Sequence, residues 1–263
     1  MLDNQVVYDN LNWQELTSEV LKDKIAVVLR AIPDDVKTIL DVGCGNGAIT
    51  NVLGEKYLVT GIDRSEKALS FVKTNKIKAE ASDLPFADNS FDLVFCSEVL
   101  EHLPEDVFQK TIDELKRVAG KYIMISVPFA ETIEKNLIQC CECGHIFNRS
   151  YHFRNFTKDS LRRLFAEYDL RSVQIFGRKV RYYNVFLANL KHRISHPLSW
   201  IPYYWVPPAQ RQITCPACEK QFVYKYRFNP LATLCDILNV LISPRKPYWL
   251  METFGRSDAE QNI

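Results

Sequence analysis

The sequence contains no internal repeat and no low-complexity tract, which argues against a solenoid or a disordered polar chain. It has no long apolar run either. The longest, near Ala232 to Ile242, is too short to span a bilayer core of about 30 Å, so no transmembrane segment is expected. A basic start followed by an apolar stretch is missing as well, so no secretory leader is expected. Net charge is almost absent, with 33 Lys and Arg against 32 Asp and Glu. Eight cysteines without a secretory signal indicate a reducing compartment, here the cytoplasm, and metal binding in preference to disulfides.

What is present is ordinary for a globular protein: 263 residues, 47% hydrophobic and 25% charged, enough for one substantial α/β domain and an appendage. The charge is unevenly spread. Residues 1–120 hold 21 acidic against 13 basic side chains, whereas 178–228 hold nine Lys and Arg and only Glu219. That basic, aromatic stretch suits the phosphates of a nucleic acid, a phosphosugar or a lipid headgroup. Equally, it suits a solvated face that balances the acidic half.

From Lys37 to Val127, strand and helix signals alternate. Strands are expected at Lys37–Asp41, Tyr57–Asp63, Ile77–Ser82, Phe91–Ser97 and Lys121–Val127. Helices are expected from near Gly47, over Ser65–Thr74 and over Glu105–Val118. Residues 8–31 read as an amphipathic leading helix. This βαβα order predicts a parallel sheet covered on both faces. After Val127 the pattern breaks at "CCECGHIF". Thr157 can then cap a helix running to about Tyr168, and two strand candidates follow, Arg171–Phe176 and Tyr182–Leu190. The Pro- and aromatic-rich "HPLSWIPYYWVPP" cannot be regular helix.

The stretch "ILDVGCGNGAIT" sets Gly43, Gly45 and Gly47 at alternate positions where the first strand should turn into a helix. Glycines there let the backbone turn tightly and approach a ligand. A loose match to the dinucleotide fingerprint also exists. Asp41 argues against a dinucleotide, because a carboxylate beside the turn would repel a pyrophosphate. It would attract the ammonium and sulfonium of S-adenosylmethionine. Asp63, about 20 residues on, can accept both ribose hydroxyls. Asp83 is expected to end the third strand and accept the adenine amino group, with Leu84 and Phe86 packing on the ring.

"LDVGCGNG", "GIDRS", "ASDLPFADNSFDLVFCSEVLEHL" and "YIMISVP", in that order across about residues 37–190, resemble the class I S-adenosylmethionine-dependent methyltransferases. The resemblance implies a Rossmann-like, seven-stranded α/β sheet in the order 3-2-1-4-5-7-6 with its last strand antiparallel. It implies cofactor contacts from Asp41, Gly43, Gly45, Gly47, Asp63, Arg64, Asp83, Leu84 and Ser97. The methyltransferase domain is expected over 1–190, and a C-terminal extension over 191–263.

Two pairs, Cys140-x-x-Cys143 and Cys215-x-x-Cys218, have the spacing of knuckles that set four thiolates around one structural Zn²⁺. The first knuckle lies in an insertion at about 137–150, the second at about 213–220. Cys141 and His145 rank below these four as ligands; Cys44, Cys96 and Cys235 read as packing residues.

Glu98, Glu101 and His102 in "SEVLEHLP" follow the fourth strand, where catalytic groups are expected. Glu-x-x-Glu-His resembles the metal-binding sequence of the ubiquinone-pathway O-methyltransferases and the small-RNA 2′-O-methyltransferases. The latter resemblance adds His152, in "YHFRNFT", as fourth ligand. One reading is therefore Mg²⁺ or Mn²⁺ held by Glu98, Glu101, His102 and His152. The other is a metal-free pocket with His102 or His152 as base or positioner. Methylation of a sugar, glycan or other hydroxylated small-molecule intermediate is the favoured activity. The rivals are RNA methylation and a non-catalytic cofactor-binding scaffold. Oligomeric state is not legible.

Overall fold

A computed structural model of the chain describes residues 21–195, 211–224 and 227–257, together with Val7, Trp13, Gln14, Thr17 and Glu19. The first part runs α1 (Lys22–Ala31), β1 (Thr38–Val42), α2 (Thr50–Leu53), β2 (Leu58–Asp63), α3 (Glu66–Leu69), β3 (Asn75–Lys78) and β4 (Phe91–Ser97). It continues through α4 (Glu105–Val118), β5 (Ala119–Pro128), the short strands β6 (Leu137–Gln139) and β7 (Ile146–Asn148), α5 (Lys158–Leu164) and β8 (Tyr168–Arg181). The last part comprises α6 (Val185–Ile194), β9 (Gln212–Thr214), β10 (Gln221–Val223), α7 (Pro230–Ile242) and β11 (Arg245–Arg256).

Seven strands form one sheet in the order β3-β2-β1-β4-β5-β11-β8. The first five are mutually parallel, and β11 runs antiparallel to both β5 and β8. This is the expected order, with β8 as sixth strand and β11 as seventh. Ile39, Leu40 and Val42 of β1 and Leu93, Val94 and Phe95 of β4 are buried, as strands covered on both faces require. On one face α4 packs Ile112, Leu115 and Val118 against the sheet. On the other, α1 contributes Val28, and Ile32 just after it packs there too. Helix α4 spans the residues read from its periodicity, with Glu105 and Asp106 in its first turn and Lys116 and Arg117 in its last, each sign matching the helix dipole.

The seventh strand corrects the expected boundary at residue 190. Tyr182–Leu190 is not a strand: the Asn184 side chain accepts hydrogen bonds from the Phe186 and Leu187 N–H groups and starts helix α6. The apolar run there fits either period, and the cap decides. Residues Arg245–Arg256, inside the expected extension, complete the sheet. Both cysteine knuckles are therefore insertions into the fold, one between β5 and β8 and one between β8 and β11. Other boundaries move less. Helix α3 is one turn capped by the Ser65 hydroxyl, β3 spans Asn75–Lys78, and Thr157 forms a capping box at the start of α5. Most of the expected leading helix before Lys22, and "HPLSWIPYYWVPP" at 196–208, lie outside the described residues.

The insertions share a separate small core. Ile138, Cys140, Phe147, Tyr183, Leu187, Ala188, Cys215, Phe222 and Tyr224 are buried together. Helices α6 and α7 lie antiparallel over it, since Asn184 meets Asn239 at one end (2.7 Å) and Asn229 reaches the Ile194 carbonyl at the other (3.2 Å).

Candidate functional site

Strands β1 and β4 are neighbours, but the chain leaves them toward opposite edges of the sheet, so a crevice opens at their carboxyl ends. The glycine turn lines it. Gly43, Gly45 and Gly47 all have positive φ (73°, 54° and 74°), a region that disfavours side chains. A Cβ on Gly43 would lie 2.3 Å from Val99 Cγ2. Asp41 is buried and accepts from the Thr50 hydroxyl at 2.6 Å. Burial, with Asp63 nearby, pushes its carboxyl up to about 7. Asp63 ends β2, and burial raises its carboxyl also. Its oxygens accept the Gly45 and Ser65 N–H groups at 2.9 and 2.8 Å. A buried acid and a half-buried one at one crevice make a site for a cation, not for a pyrophosphate.

The other expected cofactor residues fall as follows. Asp83 does not end a strand; it occupies an exposed turn beyond β3. Leu84 is buried, its N–H donating to Glu114 at 2.7 Å. Arg64 pairs with Glu80 at 3.5 Å. Ser97 is the last residue of β4.

Glu101 and His102 lie in the 3₁₀ turn Leu100–His102 that follows β4. His152 comes from a segment 50 positions further along the chain, and backbone hydrogen bonds bring it in. The Phe153 N–H donates to the Glu101 carbonyl (2.8 Å), and Arg154 donates to the Leu100 and Leu103 carbonyls (2.9 and 2.7 Å). The two imidazole rings meet edge to face at 4.7 Å between centroids. One ligand atom each from Glu101, His102 and His152 lies within 4.8 Å of the others.

Both His rings are oriented through Nδ1. His102 Nδ1 donates to the Tyr151 carbonyl at 3.3 Å, and His152 Nδ1 bonds Glu131. That arrangement leaves each Nε2 as the basic nitrogen. Burial, then the neighbouring His152, lowers the His102 pKa to about 3, so its ring is neutral. Glu101 is buried, and neither carboxylate oxygen has a hydrogen-bond partner among the described residues. Its burial, then the charge of Glu98, raises its pKa well above the usual carboxylate range.

Glu98 departs from the expected four-ligand set. Its φ is +57°, its carboxylate pairs with Lys24 of α1 at 3.2 Å, and it accepts from Trp249 Nε1 of β11 at 3.1 Å. Sequence reading missed Lys24, Glu131 and Trp249. None carries a spacing signal, because they come from the leading helix, the loop after β5 and the last strand. It also missed Trp13, whose ring lies 3.0 Å from where a Gly45 Cβ would stand.

The four cysteines converge. Cys140 and Cys218 sulfurs are 3.7 Å apart, as are those of Cys143 and Cys215, and all four lie within 4.8 Å. Four sulfurs at about 2.3 Å from a tetrahedral centre are about 3.8 Å apart, so the cluster fits Zn²⁺. The two hairpins repeat one geometry. In each, the second residue after the first cysteine donates its N–H to that sulfur at 3.4 Å, from Glu142 to Cys140 and from Ala217 to Cys215. The positive-φ residues Gly144 and Glu219 each return an N–H to the first cysteine's carbonyl (3.1 and 2.8 Å). Cys141 and His145 lie outside the cluster.

A family model described as a methyltransferase domain matches residues 40–122. An uncharacterized protein of Methanocaldococcus jannaschii is 31% identical over 198 residues, 72% of this chain and 77% of that protein. The 27-O-demethylrifamycin SV methyltransferase of Amycolatopsis mediterranei is 36% identical over 110 residues, 37% of this chain but only 39% of the enzyme's length. Among solved structures, a SAM-dependent methyltransferase from Archaeoglobus fulgidus shares the fold, with a TM-score of 0.54 and 14% identity over 91% of this chain and 95% of its own.

Proposed function

The chain belongs to the class I S-adenosylmethionine-dependent methyltransferases, and from that premise we propose that it O-methylates a hydroxylated small molecule held through a divalent ion. A sugar, glycan or similar biosynthetic intermediate is the acceptor class. The observation that carries this reading is the Glu101 carboxylate, buried without a hydrogen-bond partner among the described residues and grouped with His102 and His152. An ionised carboxylate in such a place is costly unless a cation meets it. One carboxylate and two imidazoles form a donor set that Mg²⁺ or Mn²⁺ would accept. When bound, the ion lowers the pKa of a substrate hydroxyl and orients it.

The chain's own residues supply the remaining work. The Tyr151 carbonyl and Glu131 hold the two imidazoles in the tautomer that offers Nε2 to the site. Asp41 and Asp63 present carboxylates to the ammonium and sulfonium of the cofactor and hydrogen-bond acceptors to its ribose. Gly43, Gly45 and Gly47 keep the turn clear of side chains, and in this reading Leu84 and Ser97 add further cofactor contacts. In this reading the four cysteines hold one structural Zn²⁺ in a closed site with no position for substrate. They stabilise the insertions that carry Glu131 and His152.

Transfer of labelled methyl groups to vicinal-hydroxyl compounds, sugars and RNA, run side by side, tests the proposal. The expected result is transfer to a small hydroxylated acceptor, lost on mild chelation and restored by Mg²⁺ or Mn²⁺. Glu101→Ala should lower turnover roughly 100-fold or more while cofactor affinity holds. Full activity in a chelator would remove the ion and leave His102 or His152 as base. Transfer to RNA alone would hand the site to a nucleic-acid substrate.

A further inference from the structure

Helix α7 is built inside out. Its buried positions include Asp236 and Asn239, while Leu231, Leu234, Leu238 and Leu241 form an exposed row, with Leu241 75% exposed. A helix stabilised in water shows the reverse. The buried polar groups are well matched. Asp236 binds the fully buried Lys191 with both oxygens at 2.6 Å and accepts from Tyr183 at 2.7 Å. Asn239 accepts from the Asn184 N–H and donates to the Tyr182 carbonyl. Its partner α6 adds Val185 and Phe186, 70% and 73% exposed. Large apolar side chains left exposed on two neighbouring helices signal an interface.

Charge names the partner. Residues 171–256 hold 13 Lys and Arg against Glu219, Asp236 and Glu252, and the last two are buried. Exposed cations stand at both ends of the hairpin, Arg193 and Arg227 at one, Arg245 and Lys246 at the other. A second copy of this chain would set those cations against themselves. An anionic lipid surface complements them and takes up the leucines. At 13 residues, α7 is about 20 Å long, too short to cross a hydrocarbon core of about 30 Å.

We propose that the outer face of the α6–α7 hairpin docks on an anionic bilayer, with both helices lying in the headgroup plane. The hairpin is tied to the segment that carries Glu131: Thr132 donates to the Tyr183 carbonyl at 3.2 Å and Lys135 to the Arg181 carbonyl at 3.0 Å. Docking therefore brings the Glu101 site to the membrane surface, where an amphiphilic acceptor with a hydroxylated head would be presented.

Co-sedimentation of the full chain with vesicles, without cofactor or acceptor, tests docking independently of methyl transfer. Binding is expected to phosphatidylcholine vesicles containing phosphatidylglycerol, and to fall steeply with salt and with removal of the anionic lipid. Leu234→Ser combined with Leu241→Ser should weaken binding at least about tenfold with little change in melting temperature. Arg245→Ala combined with Lys246→Ala should weaken it roughly tenfold and abolish the preference for anionic lipid. No binding of the wild-type chain to the mixed vesicles would overturn the proposal, as would binding untouched by the leucine replacements. Self-association in solution that those replacements abolish would assign the face to a second copy instead.

Discussion

In the sheet, buried apolar strands carry the chemistry: Asp41 and Asp63 extend from β1 and β2, whose Leu40, Val42 and Ile62 are fully enclosed. In the inserted lobe the core is small, and its strands β6, β7, β9 and β10 have three residues each. There the holding groups are polar: four converging thiols, and Lys191 buried on Asp236. The contrast follows from size. A large parallel sheet buries enough surface to stand without a staple, while a short-stranded insertion needs a metal or a paired charge. The sheet can thus keep two repelling acids for a ligand, and the lobe cannot spare its charges.

The largest effect expected from this contrast is at the thiolates. Cys215→Ser should remove about one equivalent of Zn²⁺ by elemental analysis and melt the lobe, since metal binding at such sites is worth about 10 kcal/mol of folding energy. Calorimetry should find cofactor affinity retained. If cofactor binding disappears with the zinc, the two regions are one cooperative unit and the contrast fails.

Next comes the buried ion pair. Lys191→Met removes the buried cation that Asp236 faces and should cost about 3–5 kcal/mol in denaturant unfolding. Adding Asp236→Leu should recover most of that loss, because an apolar pair replaces a desolvated one. A double variant no better than the single would show that the Asp236–Tyr183 hydrogen bond matters more than the charge.

Smaller effects are expected in the sheet. Asp63→Ala should weaken cofactor binding by about 1.5–3 kcal/mol, the range for hydrogen bonds to a charged group, with the fold preserved. Smallest, over the single pH unit below about 7, is the effect of protonating Asp41. Its folded pKa of about 7 lies above the unfolded value of about 3.9, so the stability it contributes is full below about pH 4 and lost as pH rises through about 7. A cationic ligand requires the carboxylate, so cofactor affinity should run the other way, falling toward tenfold per unit below about pH 7. Calorimetry at several pH values checks this, and Asp41→Asn should flatten both trends.

Local pattern determined much of this protein. The βαβα alternation, the three glycines, the acids at Asp41 and Asp63, the Glu101-His102 pair and the paired Cys-x-x-Cys spacing are short-range features. Their chemistry is written within a few residues, and the structure keeps them where the pattern set them. Thr157 and helix α4 were legible for the same reason. Tertiary structure decided the rest. It made Tyr182–Leu190 a helix, through a cap whose run of apolar residues fits two periods. It drew the seventh strand from Arg245–Arg256, past an insertion whose length no local rule limits, with Glu252 buried in it and facing Arg162 at 3.4 Å. It took Glu98 from its expected neighbours by offering Lys24 and Trp249, and it brought Glu131 to His152. Those partners are remote in sequence, so only the packing of strands and loops around one crevice could bring them together.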